Sequence, residues 1–396
     1  MSRLTGARAR LPLLAVALVA MLAAAGPAQG ATTAAPSGLK FYRPPAKLVP
    51  GKHGTVIWSR TVGTPVGVPG ASKTILVLYR STSVAGKPIA VSGSISLPKG
   101  KTPKGGWPIL SWAHGTTGIA DVCAPTRAPT SPYTSYVMPQ LQTWLKAGFA
   151  IVRTDYEGLG APGLHPYLIG KSEGRGVLDI ARASRALDKR VGTKLVIAGH
   201  SQGGHAALFA AALAPSWTPD LSFRGVASFA PASHILDQVK LAKNLTAPGG
   251  GLSGIGSLIL GGASAVSTSV KISQLVAPPA LPLVPQIDQK CLDKLSLPNS
   301  WGGLPPADIV KPTANTGPLY GVLGANNPGL KITKPVLLLQ GDADTTVFPT
   351  FTTQLNGELV AKGDSVKYST YPGVNHGEIV AKAATEATAF LKARAK

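Results

Sequence analysis

The chain has 396 residues, enough for a large core, with charged residues at 14% against a usual share of about 25% and apolar residues at 44%. That balance excludes a disordered chain and a coiled coil, and no G-X-Y period makes it collagenous. Lys and Arg number 39 against 17 acids, a formal +22, yet they are scattered without a run of five, which points to a solvated basic surface rather than a nucleic-acid stripe.

The N-terminus carries Arg3, Arg8 and Arg10, then an apolar run from Leu11 to Ala25, then small residues around Ala28-Gln29-Gly30. The run is short for a bilayer span and right for the apolar part of a secretory signal. Residues 1–30 therefore read as a signal peptide cleaved near Gly30, and the protein is expected outside the cell. No later apolar run reaches 18 residues, so no transmembrane span is expected. Residues 31–50 lack periodicity and read as a linker.

Beyond it, Thr74 to Ser81 and Pro88 to Leu97 read as an antiparallel strand pair. Pro108 to Ala113 is a strand ending in His114-Gly115-Thr116-Thr117-Gly118. A helix is expected over Ser135 to Ala147 and a strand over Ala150 to Thr154. Val177, Ile180, Ala181, Ser184 and Leu187 line one face of a helix within Ser172 to Lys189. The strand Lys194 to Ala198 leads into an almost wholly apolar, hence buried, helix, Gly203 to Ala214. Phe223 to Phe229 is another strand.

From Pro231 to Leu330 the pattern breaks into Gly-, Pro-, Ser- and Asn-rich sequence holding a soft apolar stretch, Gly249 to Val266. Alternation resumes with a strand Pro335 to Gln340, a helix near Phe351 to Lys362, a strand Val366 to Tyr371 and a final helix Glu378 to Ala395. Strands alternating with helices mean a mostly parallel α/β sheet covered on both faces. The expected organisation is a core of 51–230 and 331–396 interrupted by a cap or lid insertion over 231–330.

The strand Lys194 to Ala198 runs into Gly199-His200-Ser201-Gln202-Gly203 and then a helix. A G-x-S-x-G turn in that setting lifts its serine above a sheet as a nucleophile. A serine hydroxyl needs a base, and in this architecture the order is Ser, then Asp or Glu, then His. Of seven histidines only His376 follows the last predicted strand. The acid should follow the strand Pro335 to Gln340, where Asp342 and Asp344 compete. Asp344 is the choice, since the loop needs a few residues to swing toward His376. The oxyanion donors should be the backbone N–H of Gln202 and those of Gly115 and Thr116 in the loop after the third strand.

Gly158 to Gly163 fits G-x-G-x-x-G, but Pro162 and Pro166 stop a helix from opening there. Gly170-Lys171-Ser172 lacks the first glycine of a phosphate loop. No nucleotide, metal or other cofactor is expected. The two cysteines, Cys123 and Cys291, form no zinc or C-x-x-C pattern. In an exported chain they either pair or stay as two buried thiols.

Taken together, Cys123-Ala124-Pro125, Asp155-Tyr156-Glu157-Gly158, the helix around Glu173 to Leu187, Gly199 to Gly204, the Gly249 to Ser264 stretch, Cys291-Leu292 and the Asp344 and His376 loops resemble the secretory lipase family of α/β-hydrolases. The resemblance implies the α/β-hydrolase fold, a triad of Ser201, Asp344 and His376, a mainly helical cap before the acid-bearing strand and ester hydrolysis. It also implies a Cys123–Cys291 disulfide, because the matching cysteines are bridged in the fungal members. Those members carry an acidic side chain in the oxyanion turn, where this chain reads His114 to Gly118.

The expected protein is a secreted serine ester hydrolase, a lipase or carboxylesterase. It is expected to be a monomer acting on small-molecule or lipid esters, with contact to a lipid interface and none to nucleic acid. Two alternatives stand beside it. One is a non-catalytic extracellular protein binding an anionic polymer or envelope, which a serine-directed phosphonate would not label. The other is an amide or peptide hydrolase on the same fold.

Overall fold

The computed structural model describes residues 1–2, 6, 35–48 and 50–396. Apart from positions 1, 2 and 6, the signal-peptide reading of 1–30 lies outside the described residues, as does its cleavage point near Gly30.

One sheet of nine strands organises the described chain: β1 Val56–Val62, β2 Lys73–Thr82, β3 Pro88–Leu97, β4 Trp107–Ala113, β5 Ala150–Thr154, β6 Val191–His200, β7 Ser222–Phe229, β8 Val336–Gly341 and β9 Val366–Tyr371. Their order is β1-β2-β3-β5-β4-β6-β7-β8-β9. Pairing is antiparallel from β1 to β5 and parallel from β5 through β4 to β9. This is the mostly parallel α/β sheet that the alternating pattern implied.

The parallel strands are apolar on both faces, and the strand period of two divides them cleanly. Ile109, Leu195, Ile197, Val226 and Leu338 face one cluster with the helices Gly170–Leu187 and Gln202–Trp217. Leu110, Val196, Ala198, Ala227, Leu337 and Leu339 face the other, with Met138–Lys146 and Ala384–Ala395. Each short side chain of the Gln202–Trp217 helix from Ala206 to Ala211 is buried, as its unbroken apolar sequence demands.

Two expectations change and one strand is added. β1 is not among the expected strands; it is an edge strand with most of its residues half exposed, and so carries a weak apolar signal. The segment read as a linker is docked, since Gly38–Tyr42 forms a 3₁₀ turn with Phe41 and Tyr42 buried. There Trp58 Nε1 donates to the Phe41 carbonyl at 2.9 Å, and the Arg60 guanidinium lies 5.2 Å from the Phe41 ring centre. The final helix breaks at Ala383 into Ile379–Lys382 and Ala384–Ala395.

Between β7 and β8 the chain builds a mainly helical cap with its own apolar cluster around Leu258, Leu260, Leu292, Leu295, Trp301 and Leu319. Its longest element, the helix Gly251–Val266, contains five glycines, each costing about 1 kcal/mol relative to alanine in a helix. Burial outweighs propensity here. A Cβ on Gly262 would stand 2.5 Å from the Tyr167 carbonyl oxygen, so the small residues let this helix lie directly on the loop before the Gly170–Leu187 helix.

A disulfide joins Cys123 to Cys291 with their Cα atoms 5.4 Å apart, inside the reach of such a bond. It ties the cap to the segment after β4. Beside it Leu292 N–H donates to the Thr117 carbonyl at 2.9 Å. In the chain-entropy model, closing a loop of this length stabilises by about 5 kcal/mol.

Candidate active site

The loops leaving the C-terminal ends of β4, β6, β8 and β9 carry every residue singled out for chemistry. In parallel sheets that edge is where ligands bind.

β6 ends at His200, and Ser201 turns the chain into the next helix with φ 60° and ψ −120°. A non-glycine residue there stores about 1–3 kcal/mol of strain and persists only where neighbours fix it. Ser201 N–H donates to the Phe229 carbonyl at 2.9 Å, and the Ser201 carbonyl accepts from Ala232 N–H at 3.1 Å. The flanking glycines are required by contact. A Cβ on Gly199 would meet the Gly203 carbonyl oxygen at 2.0 Å, and a Cβ on Gly203 the Ala113 carbonyl oxygen at 2.0 Å.

After β8, Asp344 is buried and accepts N–H bonds from Thr346 at 2.8 Å and Val347 at 2.9 Å on Oδ1. Its Oδ2 takes Gln340 Nε2 at 3.1 Å and lies 2.6 Å from His376 Nδ1. A carboxylate on Nδ1 leaves the other ring nitrogen, Nε2, free to accept a proton. Asp342 does different work. Its Oδ1 accepts Gly373 N–H at 2.6 Å and holds the His376 loop.

Ser201, His376, Gly115 and Thr116 line one cavity of about 520 Å³. Gln202 opens its helix, so its N–H has no acceptor within that helix. The Gly115 loop is held from behind. The buried His114 sits against Tyr156, its Nδ1 is 2.7 Å from the Gly115 carbonyl, and Thr116 Oγ1 is 2.7 Å from Tyr167 Oη. Burial drags the His114 imidazole down to about 4, so it stays neutral near pH 7. A second cavity of about 110 Å³ also reaches Ser201 and is walled mainly by cap residues, among them Ile235, Val239, Ile255, Ile259, Ile309 and Leu319. Leu252, Ile255 and Thr346 border both. Among the described residues no group of three or more His, Cys, Asp or Glu could hold a metal, and no helix is long and apolar enough to cross a membrane.

Residues 128–294 match the family model described as secretory lipase, and residues 320–395 match that of the prolyl oligopeptidase family. Lipase A of Moesziomyces aphidis is 29% identical over 227 residues, covering 54% of this chain and 47% of that protein. The chain is similar to secretory lipases over these segments. A Mycobacterium tuberculosis protein named "Probable inactive lipase" is 29% identical over 212 residues, 50% of this chain and 46% of that one. The chain spans about half the length of the curated relatives it matches. Its fold superimposes on Candida antarctica lipase A in the closed state with a TM-score of 0.73 at 23% identity, over 89% of this chain and 88% of that one.

Behind the Ser201 turn the fold holds a buried charge cluster that sequence reading missed. Glu173 and His205 are both fully buried, with His205 Nδ1 2.9 Å from Glu173 Oε2 and His205 Nε2 2.9 Å from the Asn326 carbonyl. A carbonyl only accepts, so Nε2 carries one proton. The Nδ1–Oε2 contact needs a second, and the pair is an imidazolium–carboxylate. Burial pushes the Glu173 carboxyl up, but the hydrogen bond and charge of His205 oppose it, with His165 and Gln202, and hold it below its usual range. Glu173 Oε1 accepts Leu168 N–H at 3.0 Å and Gln202 Nε2 at 2.7 Å. His165 Nδ1 faces the Glu157 carbonyl at 2.7 Å, so its Nε2 accepts the other Gln202 amide proton at 3.0 Å. The residue after Ser201 is thereby held at both of its amide protons. One signal pointed here: Glu173 lies one helical turn before Val177, on the apolar face of its helix.

Proposed function

We propose that the protein is a secreted serine ester hydrolase whose triad is Ser201, His376 and Asp344. What carries the reading is that a strained serine turn and an Asp344-bound histidine open into one cavity. In this reading His376 Nε2 takes the proton of Ser201 Oγ as the oxygen attacks an ester carbonyl. The developing oxyanion is met by backbone N–H groups of Gln202 and of Gly115 or Thr116. His376 gives its proton to the leaving alcohol. Water then repeats the sequence in reverse and frees the acid from Ser201.

The cap cavity suits the acyl chain, being apolar, narrow and open to Ser201. The wider cavity, bordered by His376, Tyr133 and Tyr136, suits the alcohol. The disulfide and the family support an extracellular setting. The relative named inactive makes the residues themselves the issue, and this chain holds all three triad members.

The test is a p-nitrophenyl ester series from acetate to palmitate. Hydrolysis is expected from the protein and none from Ser201→Ala. Val239→Trp narrows the cap cavity and should lower kcat/KM for long acyl chains at least about tenfold more than for acetate. An equal effect on all chain lengths would remove the acyl chain from that cavity. The prolyl oligopeptidase match over the Asp344 and His376 segment favours a second reading, amide cleavage. Faster turnover of a p-nitroanilide than of the matched ester would establish it.

A further inference from the structure

His200 stands immediately before Ser201, is 5% exposed, and has no role in the steps above. Its Nε2 lies 3.0 Å from the backbone carbonyl of His376 and its Nδ1 2.8 Å from Tyr136 Oη. The His376 carbonyl only accepts, so Nε2 carries the ring proton and donates it. Burial raises the Tyr136 phenol, which therefore keeps its O–H at any working pH. Burial lowers His200 well below the usual imidazole range, and the neighbouring His376 lowers it further. A neutral ring protonated at Nε2 has its lone pair at Nδ1, where the Tyr136 hydroxyl can donate. Each proton on this path has one place to sit.

The same ring touches three parts of the site. It is tilted 38° against the His376 imidazole with centroids 4.6 Å apart. A Cβ on Gly115 would meet Tyr136 Oη at 3.3 Å and His200 Nδ1 at 3.6 Å, so the oxyanion loop rests on the same pair. Asp344 fixes His376 by its side chain and Asp342 fixes its loop through Gly373. His200 holds His376 by its own backbone, from the Ser201 side.

Resting on the triad reading, we propose that His200 is a positioning residue: with Tyr136 behind it, it fixes the distance between the serine turn and His376, and as an uncharged ring it leaves the imidazolium that forms on His376 unopposed. A cation at that distance would disfavour the protonated His376 that the mechanism requires.

The test compares His200→Phe, His200→Gln and Tyr136→Phe, each first shown folded by circular dichroism and thermal unfolding. Gln keeps an N–H where Nε2 stood; Phe keeps the bulk and loses the donor. His200→Phe should lower kcat about 10²-fold, the scale of a misplacement near 1 Å, with KM within about twofold. His200→Gln should recover most of that loss. Tyr136→Phe frees His200 Nδ1 to take a proton in acid, so its kcat/KM should fall at a higher pH than in the unaltered protein. Labelling of the unaltered protein by a serine-directed phosphonate separates the two claims. No label overturns the triad reading and this proposal with it. Label with kcat unchanged in folded His200→Phe, with Gln no better than Phe, or with the acid limb unmoved in Tyr136→Phe overturns the proposal alone.

Discussion

Replacing Ser201 or His376 by alanine is expected to lower ester hydrolysis about 10⁶-fold each, and replacing both to cost little more. The reason is mechanical. His376 acts only by moving the proton of Ser201, so once one is gone the other has nothing to do. Strict additivity of the two losses in log rate would contradict a shared step. Asp344→Asn should cost about 10⁴-fold, because an amide at 2.6 Å from Nδ1 can donate there and trap the wrong tautomer of His376. Asp342→Asn should be mild, since its carbonyl oxygen can still accept Gly373 N–H. Initial rates on p-nitrophenyl butyrate with circular dichroism as the folding control give all five numbers.

Glu173→Ala is expected to destabilise the fold by about 3–5 kcal/mol, the cost of stranding one half of a buried ion pair. Glu173→Gln should restore most of it. A glutamine can accept Leu168 N–H and Gln202 Nε2 with its oxygen and donate its own N–H to a neutral His205 Nδ1, so every partner is kept without charge. Acid tests the charge on Glu173. The folded Glu173 carboxyl titrates below its unfolded value, so between the two the unfolded chain holds the extra proton. The contribution of Glu173 is therefore full above the ordinary carboxylate range of about 4.3 and is lost as the pH falls below it. Urea unfolding of the unaltered protein from pH 3 to 7 should show this loss, and a flat profile below about 4.3 would contradict an ionised Glu173.

The central strands and the proposed triad are legible in the sequence because both leave local marks. Short apolar runs such as Ala150 to Val152 in β5 and Val336 to Leu339 in β8 announce their strands, and chain order alone selects His376. Choosing Asp344 over Asp342 needed only the length of a loop. β1 and the docked Phe41 segment left no such mark, because an edge strand is half exposed and Phe41 is buried by partners, Trp58 and Arg60, well downstream. The helix Gly251–Val266 was hidden by five glycines that only its tertiary contacts tolerate. His200, Glu173, His165 and Tyr136 come together from the end of β6 and two connections of the sheet, and only the folded chain brings them to the serine turn.

The most direct measurement is mass analysis of the protein quenched in acid during turnover of p-nitrophenyl butyrate. A serine mechanism predicts a gain of one butyryl group, found on the peptide containing Ser201 and absent from Ser201→Ala. Hydrolysis with no adduct on that peptide, or with an adduct on another residue, would contradict Ser201 as the nucleophile.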